Sequence, residues 1–195
     1  MLQANAAFVA QQPAPDLPAE ARRAVIVSCM DSRLVSLLPA ALHIRDGDAK
    51  VIKTAGALIS HPFGGIARSI IVALYALNAG EVFIVAHHDC GMNGLDADAL
   101  VERMHAEGGV SRETVRTLEA AGINIRGWLR GFSSLHDSVT SSVAMVRRHP
   151  LVPPRVPVHG LILDPKSGAL EVVVDGNEAL RRTALDSAAV HFGVQ

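Results

Sequence analysis

Both cysteines of this 195-residue chain stand in short segments that carry other reactive side chains. Cys29 opens the segment Cys-Met-Asp-Ser-Arg (29–33), and Cys90 closes the segment His-His-Asp-Cys (87–90). Thiolate sulfur and imidazole nitrogen are good zinc ligands, and two cysteines with one histidine leave the fourth tetrahedral position open. Structural zinc sites are usually closed by four protein ligands, whereas an open position is typical of a catalytic site. The two segments therefore predict a catalytic zinc site.

Asp31 and Arg33 give the first segment a second possible function. Asp31 lies two residues from Cys29 and could close the site as a fourth ligand. Arg33 lies two residues further on. Its guanidinium could instead grip the carboxylate with two hydrogen bonds, keep it ionised and hold it off the metal. The third interpretation is an exposed ion pair with little effect. The residues alone leave all three open.

The cysteines and histidines also have ordinary structural interpretations. A free cysteine at a strand end is commonly a small buried apolar residue, and a histidine there is commonly a hydrogen-bonded rim residue. Two cysteines are too few for a disulfide framework, although a single disulfide stays open. They do not form Cys-x-x-Cys, which weakens a thiol redox function. Metal binding is favoured because both cysteines fall at the ends of predicted strands.

Three short apolar runs predict the strands that position the two segments. They are rich in β-branched residues and cover 24–28, 50–54 and 81–86. Continuous apolar strands are typical of a parallel sheet that is covered on both faces. If the first and third strands are neighbours and the second lies outside them, the order reverses between them. Ligands then bind at the carboxyl ends of those two strands, where the reactive segments lie.

Helical periodicity recurs between the strands, and the patterns cover 66–77, 96–107, 112–121 and 135–146. Ser134 and Asp137 resemble a capping box at the start of the last helix. Two more strands, 156–163 and 170–174, predict an antiparallel edge hairpin. The expected fold class is therefore α/β, with a mainly parallel sheet flanked by helices. We expect an N-terminal arm at 1–20 and a single catalytic domain at 21–195, with a terminal helix near 177–190.

Together the two reactive segments resemble the paired C-x-D-x-R and H-x-x-C motifs of the β-carbonic anhydrases. Segment 47–56, which ends in Ala55-Gly56, is similar to that family's second strand and its Ala-Gly turn. The similarity extends from about residue 24 to 176 and is sharpest in 24–94. The chain departs from the family at Lys53-Thr54, where many relatives have Arg-Asn, at His88, and across 95–132.

The resemblance implies that Cys29, His87 and Cys90 bind one Zn²⁺ per chain and that Asp31 and Arg33 form the catalytic dyad. It also implies the sheet order 2-1-3-4. Family dimers extend their sheets across the interface, and their N-terminal arms embrace the partner. We therefore expect a homodimer or a higher homo-oligomer.

The implied reaction is the reversible hydration of carbon dioxide to bicarbonate by attack of a zinc-bound hydroxide, a lyase activity. One alternative is hydrolysis of carbonyl sulfide or carbon disulfide on the same scaffold. The other is a non-catalytic protein in which Asp31 closes a structural zinc site. His88 and the loop residue His61 are additional histidines, and His88 could relay protons because an imidazole titrates near neutral pH.

Charge and hydropathy narrow the kinds of partner and the cellular location that the sequence predicts. The net charge is −1, so the chain shows no electrostatic footprint for nucleic acid or for an anionic membrane. No apolar run reaches the roughly 18 residues that span a bilayer, and the N-terminus lacks the positive region of a signal peptide. We therefore expect a cytoplasmic protein whose partner is a small-molecule substrate.

Overall fold

The computed structural model describes residues 23–182 of the chain. The predicted arm at 1–20 and residues 183–190 of the predicted terminal helix lie outside the described residues, so the domain boundaries stay predictions. Residues 176–182 are helical, in agreement with the start of that terminal helix. Between residues 23 and 182, none of the helices combines the length and apolar composition that crossing a membrane requires.

Five strands form one sheet in the order β2-β1-β3-β4-β5. In chain order they are Ala24–Cys29 (β1), Ala49–Thr54 (β2), Glu81–His87 (β3), Val158–Leu163 (β4) and Leu170–Val174 (β5). The pairs β1–β2, β1–β3 and β3–β4 are parallel, and β4–β5 is antiparallel. The predicted order and edge hairpin are confirmed. The ladder of β4 begins two residues later than predicted, after Pro157, which has no backbone N–H to donate.

The helices lie between the strands at Leu34–Ala41 (α1), Gly65–Ala76 (α2), Ala97–Glu107 (α3), Arg112–Ala120 (α4), Ile125–Leu129 (α5) and Leu135–Arg147 (α6), with a 3₁₀ turn at Ala55–Ala57. Side-chain caps begin four of them, and these caps are Asp96, Ser111, Asn124 and Ser134. Ser134 Oγ accepts the Asp137 N–H at 3.2 Å, as predicted for α6. Each such cap satisfies a backbone donor that the first helical turn leaves unpaired.

The sequence pattern did not predict α1 or α5. Helix α1 contains Pro39, and proline in a helix interior removes a hydrogen bond and normally ends the pattern. The helix forms nevertheless because Leu34 and Leu38 are fully buried against the sheet. Helix α5 has only five residues, which is too short to show a helical period.

Successive residues of β1 belong to different apolar clusters, because side chains alternate across a strand. Val25 and Val27 belong to the cluster that α2 and α6 complete, whereas Ile26 belongs to the cluster that α1 completes. The sheet is therefore covered on both faces. Because β1 lies between β2 and β3, the strand order reverses there, and the carboxyl ends of β1 and β3 form the switch point of the sheet.

Gly160 marks the closest approach of β4 to α6. A methyl group added there would lie 2.6 Å from Val139 Cγ1 and 3.1 Å from Val143 Cγ2. Both neighbours are β-branched helix residues that strongly prefer one rotamer, so they cannot turn away easily. We expect Gly160→Ala to lower the free energy of unfolding by about 1–3 kcal/mol, the usual cost of overpacking a core. Urea denaturation followed by circular dichroism measures this.

Gly65→Ala is the matched control, because an added methyl group there meets no atom within 4 Å. It should leave the unfolding midpoint nearly unchanged. In the double variant Gly160→Ala/Val139→Ala, the removed Cγ1 relieves the clash. The free energy of unfolding should therefore fall by less than the sum of the losses in the two single variants. Strict additivity would show that the close packing against Val139 is not what excludes a side chain at Gly160.

Candidate metal centre

Three potential metal ligands meet at the switch point. Cys29 ends β1, His87 ends β3, and Cys90 lies in the turn that follows β3. Their ligand atoms all lie within 4.8 Å of one another, and all three residues are buried. The two sulfurs are 3.8 Å apart, well beyond the S–S bond length of about 2 Å, so both cysteines are free thiols. The structure thus brings together the three residues that the sequence proposed as ligands.

The histidine of this group is prepared to bind through one nitrogen. His87 Nδ1 lies 2.7 Å from the carbonyl oxygen of His88 and must donate to it, since a carbonyl only accepts. Nε2 therefore carries the free lone pair, and it is buried without a hydrogen-bond partner. A backbone carbonyl that fixes the far nitrogen is the usual support of a metal-bound histidine. An orphaned buried acceptor beside two thiols fits a zinc ion.

The Cys90 thiol depends on a cation for ionisation at neutral pH. Burial raises the pKa of Cys90 to about 11, and the neighbouring Cys29 sulfur adds to that rise. At neutral pH the Cys90 sulfur therefore holds its proton in the metal-free protein. A bound cation reverses this balance, because a thiol that coordinates a metal ion is deprotonated. Cys29, His87 and Cys90 have the donor set of an open zinc site, with two sulfurs and one nitrogen.

Arg33 holds Asp31 beside the ligand group. Its Nε and Nη2 donate to Asp31 Oδ1 and Oδ2 at 3.0 and 2.8 Å, and its backbone N–H donates to Oδ1 at 2.9 Å. These hydrogen bonds hold the pKa of the Asp31 carboxyl well below its usual range. Asp31 Oδ2 lies 3.8 Å from His87 Nε2. The carboxylate is thus ionised, oriented and adjacent to the ligands, with both of its oxygens held by Arg33.

Arg33 also joins the two reactive segments. Its Nη2 donates to the carbonyl oxygen of Asp89 at 2.9 Å. Asp89 has a backbone φ of 55°, a left-handed conformation that aspartate tolerates better than most residues. Its side chain pairs with Lys166 Nζ at 3.0 Å, from the turn between β4 and β5. This pairing lowers the pKa of Asp89.

Lys53 is a second cation beside the first segment. Its ammonium donates to the carbonyl oxygens of Cys29 and Leu34, at 3.3 and 3.5 Å. Burial lowers the pKa of Lys53, while Cys29 and Asp31 oppose that shift. In the sequence, Lys53 stands out only as a departure from the family, and Lys166 does not stand out at all. Lys166 carries no local signal, because its partner Asp89 lies 77 positions earlier in the chain and meets it only through the sheet.

A polar cavity of about 290 Å³ adjoins the ligands His87 and Cys90. Its remaining lining residues are His88, Asp89, Asn93, Phe132, Leu135 and His136. His136 was not singled out in the sequence, and its Nε2 lies 2.7 Å from Glu171 Oε1 of β5. His61, by contrast, accepts the backbone N–H of Phe63 at 3.0 Å and is not among the residues around the cavity.

The fold and site define the chain as a mainly parallel α/β protein with a Cys-His-Cys group at its switch point. The family model described as "Carbonic anhydrase" matches residues 24–170. The chain is 46% identical over 181 residues to "Putative carbonic anhydrase YvdA" of Bacillus subtilis, covering 91% of each protein. These matches show that the chain belongs to the β-carbonic anhydrase family.

Two further relatives bear on fold and activity. The crystal structure of β-carbonic anhydrase isoform I from Trichomonas vaginalis superposes with a TM-score of 0.80 at 32% identity, covering 90% of this chain and 96% of that one. "Carbon disulfide hydrolase" of Acidithiobacillus thiooxidans is 28% identical over 159 residues, which is 76% of each protein. Relatives of this chain therefore carry names that point to different substrates.

Zinc affinity should rise with pH, because the Cys90 proton competes with the metal. The pKa of Cys90 is about 11 in the metal-free protein, so the thiol must lose its proton on binding at any pH below that value. We expect affinity to rise by about tenfold or more per pH unit near neutrality, with protons released on binding. Competition with a chromophoric chelator measures the affinity, and an indicator dye in weak buffer measures the protons.

Cys90→Ser should bind zinc at least about a hundredfold more weakly, since a serine hydroxyl oxygen replaces the thiolate sulfur, which is the better zinc ligand. Ser32→Ala changes an exposed neighbour outside the ligand group and is the matched control. A zinc affinity that stays constant from acid to alkaline pH would mean that the metal displaces no proton from a thiol.

Proposed function

We propose that this protein catalyses the zinc-dependent, reversible hydration of carbon dioxide to bicarbonate. The proposal is carried by the position of Asp31, which Arg33 holds with Oδ2 at 3.8 Å from His87 Nε2 of the Cys-His-Cys group. Membership of the β-carbonic anhydrase family supports it. In this assignment Cys29, His87 and Cys90 bind the metal, and Asp31 with Arg33 forms the catalytic dyad.

A zinc ion held by these ligands would lower the pKa of a bound water, so that hydroxide is available near neutral pH. Asp31 then acts on the reacting water. An ionised carboxylate only accepts hydrogen bonds, so Asp31 Oδ2 accepts the O–H of that water and orients its lone pair toward carbon dioxide. Arg33 keeps the carboxylate ionised and fixed in place, and such pre-organisation lowers the barrier without new binding contacts.

A closed structural site is disfavoured by the same geometry. Asp31 would have to exchange hydrogen bonds from Arg33 for a bond to the metal, and three donors of Arg33 currently hold its two oxygens. A bidentate arginine–carboxylate pair is among the stronger hydrogen-bonded arrangements in proteins. Arg33 is further anchored on the Asp89 carbonyl, which resists its displacement.

Hydrolysis of carbon disulfide is the second candidate, because a relative carries that name. A cleft of about 400 Å³ beside the site suits an uncharged linear molecule, since its lining is largely apolar and includes Ile66, Leu100 and Trp128. Thr54, which pairs with Cys29 in the sheet, and Met92, two residues after Cys90, also line it. Carbon dioxide and carbon disulfide share this shape, so the assay must include both.

Stopped-flow hydration assays test the proposal. Zinc-loaded protein should hydrate carbon dioxide rapidly, and a chelator should abolish that activity. Asp31→Ala should retain zinc and lose about a hundredfold or more in kcat/KM, the usual contribution of a positioned acid–base group. Ser32→Ala keeps the ligands and dyad intact and is the matched control.

The alternatives predict different results in the same assays. Loss of zinc from Asp31→Ala would identify Asp31 as the fourth ligand of a closed site. Full zinc occupancy with turnover of carbon disulfide, but not of carbon dioxide, would move the assignment to a carbon disulfide hydrolase.

We also propose that the protein is a homodimer and that it works in the cytoplasm. β2 is an edge strand of the sheet, and Val51 on it is 44% exposed. Such an edge is a template for pairing with a second chain. Light scattering should give a mass of at least twice 20.6 kDa, and Val51→Lys should lower it. Val72→Lys, at an exposed position of α2, is the matched control, and an unchanged mass in both variants would argue against assembly through β2.

A further inference from the structure

We propose that His136, held by Glu171, accepts the proton that leaves the active site in each hydration cycle and passes it to buffer. This inference rests on the proposed function. Hydration of one carbon dioxide to bicarbonate releases one proton, which must leave before the next cycle. Asp31 is poorly placed to take up this proton, since three hydrogen bonds from Arg33 favour its ionised form.

The polar cavity gives a route from the ligands to His136. The residues that line it include both the ligand residues His87 and Cys90 and the proposed acceptor His136. The volume is about 290 Å³, and water takes about 30 Å³ per molecule in the liquid, so several waters fit. His88, Asp89 and Asn93 supply polar partners along the walls, which a water chain requires.

The ion pair with Glu171 determines which nitrogen of His136 accepts the proton. Nε2 lies 2.7 Å from Glu171 Oε1, and a carboxylate only accepts, so Nε2 carries a hydrogen. Nδ1 of the neutral ring is then the acceptor. The His136 side chain is 55% exposed, so buffer can reach it.

The transfer balances without any change of oxidation state. The reacting water loses a proton to the neighbouring water, exchange along the chain delivers a proton to His136 Nδ1, and the ring becomes cationic. Buffer base then removes the proton from Nδ1 and restores the neutral ring. The other titratable groups near this path are His88 and Asp89 on the cavity wall, Lys166 paired with Asp89, and Asp137 beside His136.

His136→Ala tests this in zinc-loaded protein. In dilute, bulky buffer, kcat should fall on the order of tenfold while kcat/KM stays within about twofold, since proton transfer follows the chemical step. Added imidazole, a diffusible substitute, should restore kcat. His43→Asn is the matched control, because His43 is exposed, does not line the cavity and has a left-handed φ of 50° that asparagine tolerates.

A second measurement does not depend on turnover. Nitrogen NMR of the ring in the intact protein should show the hydrogen of neutral His136 on Nε2, and Glu171→Leu should shift the tautomer balance toward Nδ1. A hydrogen on Nδ1 in the native protein would overturn the proposal.

Three kinetic results would also overturn the proposal. They are a kcat that His136→Ala leaves unchanged in every buffer, an equal fall of kcat and kcat/KM, and no restoration by imidazole. Failure of the proposed function looks different, because the unmodified protein would then hydrate no carbon dioxide in any buffer. That result is seen before any variant is made.

Discussion

The arrangement of the site depends on one constraint, which is that three acidic groups lie close together where β1 and β3 end. Two buried thiols lie next to a partly exposed carboxylate, and ionising all three without compensation would be costly. Burial, with a further contribution from the neighbouring Cys29 sulfur, raises the pKa of Cys90 to about 11. Positive charge therefore favours the ionised state of these groups. Arg33 supplies it to the carboxylate, and a bound metal would supply it to the sulfurs.

Arg33 satisfies this condition while also joining separate parts of the chain. Its guanidinium binds Asp31 on its own segment and the carbonyl of Asp89 on the other. Lysine could not replace it easily, because an ammonium is a point charge without the planar fork that holds two acceptors at once. Asp89 is in turn paired with Lys166 of the edge hairpin. Because that ion pair is exposed, its own contribution to stability is small, and the main constraint is the hydrogen bond from Arg33.

The sequence predicted the parts of this arrangement that follow from local patterns. Apolar β-branched runs predicted β1, β2 and β3, and the motifs predicted Cys29 and His87 at strand ends. The sequence did not predict α1, since Pro39 hides a helix that only burial of Leu34 and Leu38 stabilises. It also gave no sign of the pairs Lys166–Asp89 and His136–Glu171. Their members are far apart in the chain and meet only once β4 and β5 have paired.

Two cavities near the site differ in polarity, and the proposed reaction gives that difference a meaning. The cleft that includes Trp128 and Leu100 is mostly apolar, which suits an uncharged gas that gains nothing from polar contacts. The cavity that includes His88 and His136 is polar, which suits water and a moving proton. A proton cannot cross an apolar cleft without a large desolvation cost, and carbon dioxide needs no polar path. Separate routes would let substrate enter while the proton of the previous cycle leaves.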